Sequence, residues 1–352
     1  MSGDEKMPIE DNIKYLSSLT GVSGNEKNAA KEIIKLFEKY CDEIKTDALG
    51  NIIALKKGNG KTDESVMLEA HMDEIGLMVT EIDENGFLYF TNIGGIDARI
   101  LPANRVTVHG RKDLRGVIGA KPPHLMSEEE KDKSVPMDKL FIDIGLKHDE
   151  AINLVSVGDT VTFCGDAVFL SDDFIAAKSQ DDRTSVAIIY DVFEKLNGKT
   201  LPFDLYGALA VQEEVGTRGS LCAAYSVDPT FAIAIDVCHA ATPDAKDDTY
   251  ESDSGTVITL GPNLHPCLTQ NIINSMDKND IKYNLDTEGG NTGTDAWSIQ
   301  ISRNGIPTAL FSIPLRYMHT PCETLCVSDA KKTSDAISVF LTSLESAGEA
   351  LC

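Results

Sequence analysis

What most constrains this chain of 352 residues is an interruption. Helix-length segments alternate with short apolar runs up to residue 75 and again from residue 170, but not in between. In the first part, the pattern predicts a helix over 9–19. A second helix is opened by Ser23-Gly-Asn-Glu26, which has capping-box spacing, and runs to about residue 40. A turn at Leu49-Gly-Asn51 joins two short extended pieces, and the strand 65–70 ends directly at His71. In the last part, 184–196 reads as a helix and 205–211 and 231–236 as strands. A short helix over 295–303 is closed by Gly305, and Pro307 opens the strand 308–313. Between these parts, short runs at 77–82, 87–91, 105–108, 117–118, 141–144 and 160–163 are punctuated by Glu84-Asn-Gly86, Gly94-Gly95 and His109-Gly110. The charged stretch 127–133 reads as a solvated loop. Apolar strands between helices predict an α/β fold, a mostly parallel sheet sandwiched by helices. Residues 1–75 and 170–352 form the larger domain, and 76–169 form an inserted small β-barrel or sandwich.

Composition narrows the partners. Fifty-six acidic residues against 32 basic give a formal net charge of −24, which argues against nucleic acid and anionic membranes, both polyanions. The first ten residues lack a basic-then-apolar secretion pattern, and no apolar run approaches the length of a membrane span. Eight cysteines are scattered without a paired framework and read as reduced, mostly buried thiols. The expectation is a soluble cytoplasmic protein.

In open α/β sheets the binding crevice lies beyond the carboxyl ends of the strands. His71, Glu214, Asp236 and His319 fall where apolar strands finish or just past them, and Asp181 sits where a helix opens. Two imidazoles and three carboxylates suit zinc, cobalt or manganese rather than calcium. Asp181 is placed to be shared by two cations, and Asp73, two residues after His71, to hold that ring's second nitrogen. Glu213 and Glu214 follow a strand directly, so their carboxyl groups should point to different sides and do different work, one holding metal and one moving a proton.

Each residue has a plainer reading. Asp181 could cap a helix, Asp236 could start a turn, and the glutamate pair could be a solvated edge. The convergence of five such groups on strand and helix ends favours the site. Cys238-His239 reads as core packing. His319-Thr-Pro-Cys322 lacks the second cysteine pair of a zinc knuckle. Gly289-Gly-Asn-Thr-Gly293 lacks the Lys-Ser/Thr ending of a phosphate loop, and no Gly-x-Ser-x-Gly elbow is present.

The blocks His71-Met-Asp-Glu74, Asp181-Asp-Arg183, Gln212-Glu-Glu-Val-Gly216, Ile235-Asp-Val237 and Pro314-Leu-Arg-Tyr-Met-His319 resemble those of the tetrahedral (TET-type) dinuclear metallo-aminopeptidases. That family includes glutamyl and leucyl aminopeptidases, and some members once carried an endoglucanase label. Arg105-Val-Thr-Val-His-Gly110, Pro122-Pro-His-Leu-Met126 and Gly293-Thr-Asp-Ala296 extend the resemblance over nearly the whole chain. It implies that Asp181 bridges two divalent ions, zinc or cobalt first and manganese next. His71 and Asp236 then complete one site, and Glu214 and His319 the other. Glu213 becomes the general base, Asp73 supports His71, and the Asp181–Asp182 peptide is cis. The resemblance further implies peptide substrates held by their free amino group, dimerisation through the insert, and dimers assembled into a twelve-subunit homo-oligomer. Two other classes stay open: a metal-dependent glycoside hydrolase, which needs carboxylates about 5–9.5 Å apart across a sugar bond, and a non-catalytic scaffold stabilised by metal. The first-residue preference also stays open, with Arg99, Arg218 and Arg316 as cations near the motifs.

Overall fold

The computed structural model describes residues 7–128, 133–245 and 247–352. Of the charged stretch 127–133, residues 129–132 lie outside the described residues. The chain opens with helices α1 (Ile9–Ser18) and α2 (Lys27–Phe37), followed by strands β1 (Glu43–Thr46), β2 (Ile52–Lys56) and β3 (Ser65–His71). Gly50 makes the β1–β2 turn with φ +112°, a conformation that side chains rarely adopt. Next come β4 (Gly76–Ile82), β5 (Leu88–Ile93), β6 (Arg105–His109), β7 (Asp113–Ile118), β8 (Ile142–Asp143), helix α3 (His148–Leu154) and β9 (Thr160–Phe163). These six strands close into a barrel in the order β4-β5-β8-β7-β6-β9. Leu77, Val79, Leu88, Val106, Val108 and Ile142 fill its own core, separate from that of the main sheet.

The main sheet is completed by β10 (Val168–Phe169), β11 (Phe174–Ala177), β12 (Asp204–Ala210), β13 (Phe231–His239), β14 (Thr256–Leu260), β15 (Tyr283–Thr287), β16 (Thr308–Arg316) and β17 (Glu323–Cys326). Its strand order is β1-β2-β12-β3-β13-β16-β17-β11-β10, with β14 pairing β16 and β15. The centre, β12-β3-β13-β16, is parallel, whereas β1, β2, β10, β11 and β17 join antiparallel. Helices α4 (Gln180–Lys195), α5 (Arg218–Val227), α6 (Pro266–Lys278) and α7 (Ala296–Ile299) stand between successive strands from β11 to β16, with α6 joining the parallel neighbours β14 and β15, and α8 (Val327–Ser343) follows the last strand.

Alternation along the central strands decides where the site can be. Val66, Leu68 and Ala70 of β3, Phe231, Ile233 and Ile235 of β13, and Ala309, Phe311 and Ile313 of β16 project into one large core with α1, α4 and α8. With period two, the intervening residues face the other way. There a smaller apolar cluster combines Ala208, Ala223, Ala224, Ala232 and Ala234 with Met67, Ile53, Leu264, Ile299 and Leu310. The same face also carries Glu69, His71, Asp236 and Ser312. Gly207 marks the tight side: a Cβ there would stand 3.1 Å from the Phe193 ring and 3.2 Å from Ile189.

Several expectations need correction. Ser23 does not cap the second helix: its hydroxyl donates to Asp73 Oδ2 at 2.5 Å, and Glu26 is the residue before the first helical turn. A long-range carboxylate therefore outcompetes the local box. The helix expected over 295–303 is only the four residues of α7. Cys267 and Cys352 are bonded, with Cα atoms 5.9 Å apart, because the fold returns the last residues to α6 from 85 positions away. Of the remaining cysteines only Cys326 is buried, so the reading of eight reduced, mostly buried thiols does not hold. Among the described residues, no helix is long and apolar enough to cross a membrane.

Candidate active site

The parallel register brings the first two groups together. Ala234 lies opposite Glu69, so His71, the last residue of β3, and Asp236 lie at the same level and on the same face; Asp236 does not end its strand as expected, because β13 runs on to His239. Asp181 enters from the start of α4, where Ser179 has left-handed backbone (φ 56°) and the Asp181–Asp182 peptide is cis. His319, also left-handed at φ 61°, follows the end of β16. Glu213 and Glu214 arrive in the loop after β12. The strand stops at Ala210 and Gln212 turns the chain at φ 59°, so strand alternation no longer applies. Both glutamates face the same cleft, not different sides as expected, but each meets a different imidazole.

Two constellations result, within each of which the donor atoms lie within 4.8 Å of one another: His71, Asp181 and Asp236, and Asp181, Glu214 and His319. Asp181 belongs to both. Its Oδ1 stands 3.1 Å from His71 Nε2 and its Oδ2 3.3 Å from His319 Nε2. Glu214 Oε2 is 3.4 Å from His319 Nε2, and Glu213 Oε2 is 4.0 Å from His71 Nε2. Asp73 stands 3.5 Å from His71 Nδ1, longer than a hydrogen bond, and that nitrogen has no partner among the described residues. Its carboxylate instead accepts the backbone N–H of Glu213 at 3.0 Å and of Glu214 at 3.2 Å. Asp73 therefore fixes the glutamate loop at least as firmly as it supports the ring.

The electrostatics are those of a site short of positive charge. Burial, followed by Asp236, Asp295 and Asp181 against the pull of His71, pushes Glu213 up to about 9. Burial chiefly raises Asp236 to about 7 and lifts Glu214 well above the carboxylate range. His71 shows the converse: burial works to lower it, yet the carboxylates of Asp181 and Asp73 hold it well above the usual imidazole value. Four carboxylates around two imidazoles leave an excess of negative charge in a buried cleft. Divalent cations relieve that excess, and this donor set matches borderline metals.

Sequence reading missed the residue that ties two of these loops together. Glu323, 2% exposed, accepts the N–H of Gln180 at 2.7 Å and of Asp181 at 3.1 Å through Oε2, and that of His319 at 2.8 Å through Oε1. Its place four residues after His319 was the available signal. Cys238 and His239, read as core packing, both line the cleft, a cavity of about 920 Å³. None of the three candidate arginines lines it. Arg99 pairs with Asp97, and Arg316 donates to the Ala241 carbonyl and covers the Phe174 ring.

An acidic, imidazole-bearing cleft at the carboxyl ends of a parallel sheet defines a candidate metallohydrolase. The pattern of M42 glutamyl aminopeptidases matches residues 50–335. The lysyl aminopeptidase of Pyrococcus furiosus is 34% identical over 95% of this chain and 96% of its own. The aminopeptidase APDkam598 from Desulfurococcus kamchatkensis superposes with a TM-score of 0.88 at 33% identity, over 96% of this chain and 95% of that one. The Pyrococcus horikoshii TET1 peptidase, described as assembling into a tetrahedron or a large octahedral shell, gives 0.84 at 32% identity, over 95% and 99%. The chain belongs to the M42 glutamyl aminopeptidase family.

Proposed function

We propose that the protein is a dinuclear aminopeptidase that removes N-terminal residues from peptides, with His71, Asp181 and Asp236 holding one divalent ion and Asp181, Glu214 and His319 the other. The observation that carries this reading is Asp181, whose two oxygens face two imidazoles, each beside a further carboxylate. Zinc or cobalt suits the donor set best, with manganese next.

When bound, such a cation pair supplies Lewis acidity and brings a water's pKa near 7. The residues supply the rest. Glu213, in neither constellation and close to His71, accepts the proton of the attacking water and returns it to the departing amine. Asp73 holds the backbone of Glu213 and Glu214, so base and ligand keep a fixed relation. Glu323 does the same for Asp181 and His319. By the family resemblance, the substrate's free α-amino group would be held by one of the bound ions, which would restrict attack to the first peptide bond.

The oligomeric expectation is part of the proposal: a dodecamer built from dimers through the barrel, acting in the cytoplasm, with 76–169 as the dimerisation insert between catalytic segments 1–75 and 170–352. The assembly named for the Pyrococcus horikoshii relative supports it. Leu49, Leu221, Tyr225 and Ile301, outside the insert and exposed around one pocket, would suit contacts between dimers rather than within them.

Chelated protein should lose hydrolysis of aminoacyl nitroanilides, and reloading with zinc, cobalt or manganese should restore it. N-acetylated and cellulosic substrates should stay uncut. Full activity in chelator, or turnover of cellulosic substrates alone, would remove the reading.

A further inference from the structure

The cleft's walls beyond the metal-binding groups carry one sign of charge. Among the described residues lining it, none is lysine or arginine, whereas Asp248, Asp286 and Glu288 all contribute. Among the described residues there, an acidic substrate side chain would meet carboxylates and no lysine or arginine, a like-charge juxtaposition that costs binding.

Asp286 is the one built into the wall. It lies on β15 opposite Thr259 of β14. Its Oδ1 accepts the Tyr250 hydroxyl at 2.8 Å and the Thr287 N–H at 2.8 Å, which fixes the carboxylate and leaves Oδ2 open. A second observation points to a polar ligand at the same wall. Thr259 and Ser312, 3% and 4% exposed, line the cleft with side-chain hydroxyls that meet no partner among the described residues.

Register sets the distance. Asp236 pairs with Ser312, Ser312 with Val257, and β14 with β15, so Asp286 stands three strands from Asp236 and two residues along. At about 4.8 Å per strand, the two backbones are roughly 14–16 Å apart, and the carboxyl groups, projecting from one face of the sheet, are separated by a similar distance. From a residue whose first peptide bond lies at Asp236, a long cationic side chain such as lysine or arginine extends along that wall towards Asp286, whereas a short one stops before it. A leucine would offer no polar partner to Asp286 Oδ2 or to the hydroxyls of Thr259 and Ser312.

We propose that Asp286, with Asp248 and Glu288 beside it, selects substrates whose N-terminal residue is lysine or arginine. The proposal rests on the aminopeptidase reading and assigns its first-residue pocket. Asp286 acts in binding, not in bond cleavage.

The test is kcat/KM of the metal-loaded full chain on lysyl, arginyl, leucyl and glutamyl nitroanilides. The cationic pair should exceed leucyl by about tenfold or more and glutamyl by about a hundredfold. In Asp286→Asn, the lysyl-to-leucyl ratio should fall about tenfold or more, through KM on the lysyl substrate. Should that variant not fold, wild-type inhibition decides: lysine amide should bind about tenfold tighter than norleucine amide, which has the same stem without the ammonium. Leucyl or glutamyl as the fastest substrate, an unmoved ratio in Asp286→Asn, or equal inhibition by the two amides overturns the proposal and leaves the aminopeptidase reading standing. No hydrolysis of any of the four substrates overturns both.

Discussion

Glu213→Gln should lower kcat by about 10²–10⁴-fold with metal content unchanged. The amide fills the carboxylate's volume but cannot accept the proton of an attacking water. Glu213 belongs to neither ligand constellation, so both ions should remain. Its backbone N–H stays bonded to Asp73, so the loop keeps its place and Glu214 keeps its approach to His319. The loss should therefore appear in kcat rather than in KM, in folding or in ion stoichiometry. Steady-state kinetics on a metal-loaded variant, with elemental analysis of the same sample, checks this. Turnover near wild type would mean that another group moves the proton.

Asp181→Ala should do something different: empty both positions at once. Among the described residues no other side chain contributes to both constellations, so a single truncation removes one ligand from each. The cost should exceed the 10–100-fold typical of losing an outer partner of a ligand, because an oxygen donor itself is gone. The fold should survive, since Glu323 grips the backbone N–H of residue 181 rather than its carboxylate. Metal content should fall from about two ions per subunit to near none, with activity at the chelated level. Loss of one ion with the other kept would show that Asp181 is not shared.

Much of this site was legible in the sequence, for a physical reason. A strand buried on both faces is a nearly continuous apolar run, so an acid or imidazole that interrupts or ends it stands out, as Asp236 does within β13 and His71 does at the end of β3. The barrel was legible too, because each short run in 76–163 is bounded by turn residues. What escaped depends on the chain meeting itself. Ser23 had the right spacing to cap its helix, yet a carboxylate fifty residues away takes its hydroxyl. Glu213 and Glu214 looked like strand residues, but one left-handed residue, Gln212, ends that logic. Glu323 carries no motif of its own and matters only because three backbone N–H groups converge on it. The Cys267–Cys352 bond joins positions that no spacing rule connects.

Anomalous diffraction from crystals of the zinc- or cobalt-loaded protein reads the central claim directly. Two peaks per subunit should appear, separated by about 3.5–4 Å, one touching His71 and Asp236, the other Glu214 and His319, with a carboxylate oxygen of Asp181 on each. A single peak, or peaks that leave Asp181 uncoordinated, would contradict the shared centre and the catalytic roles built on it.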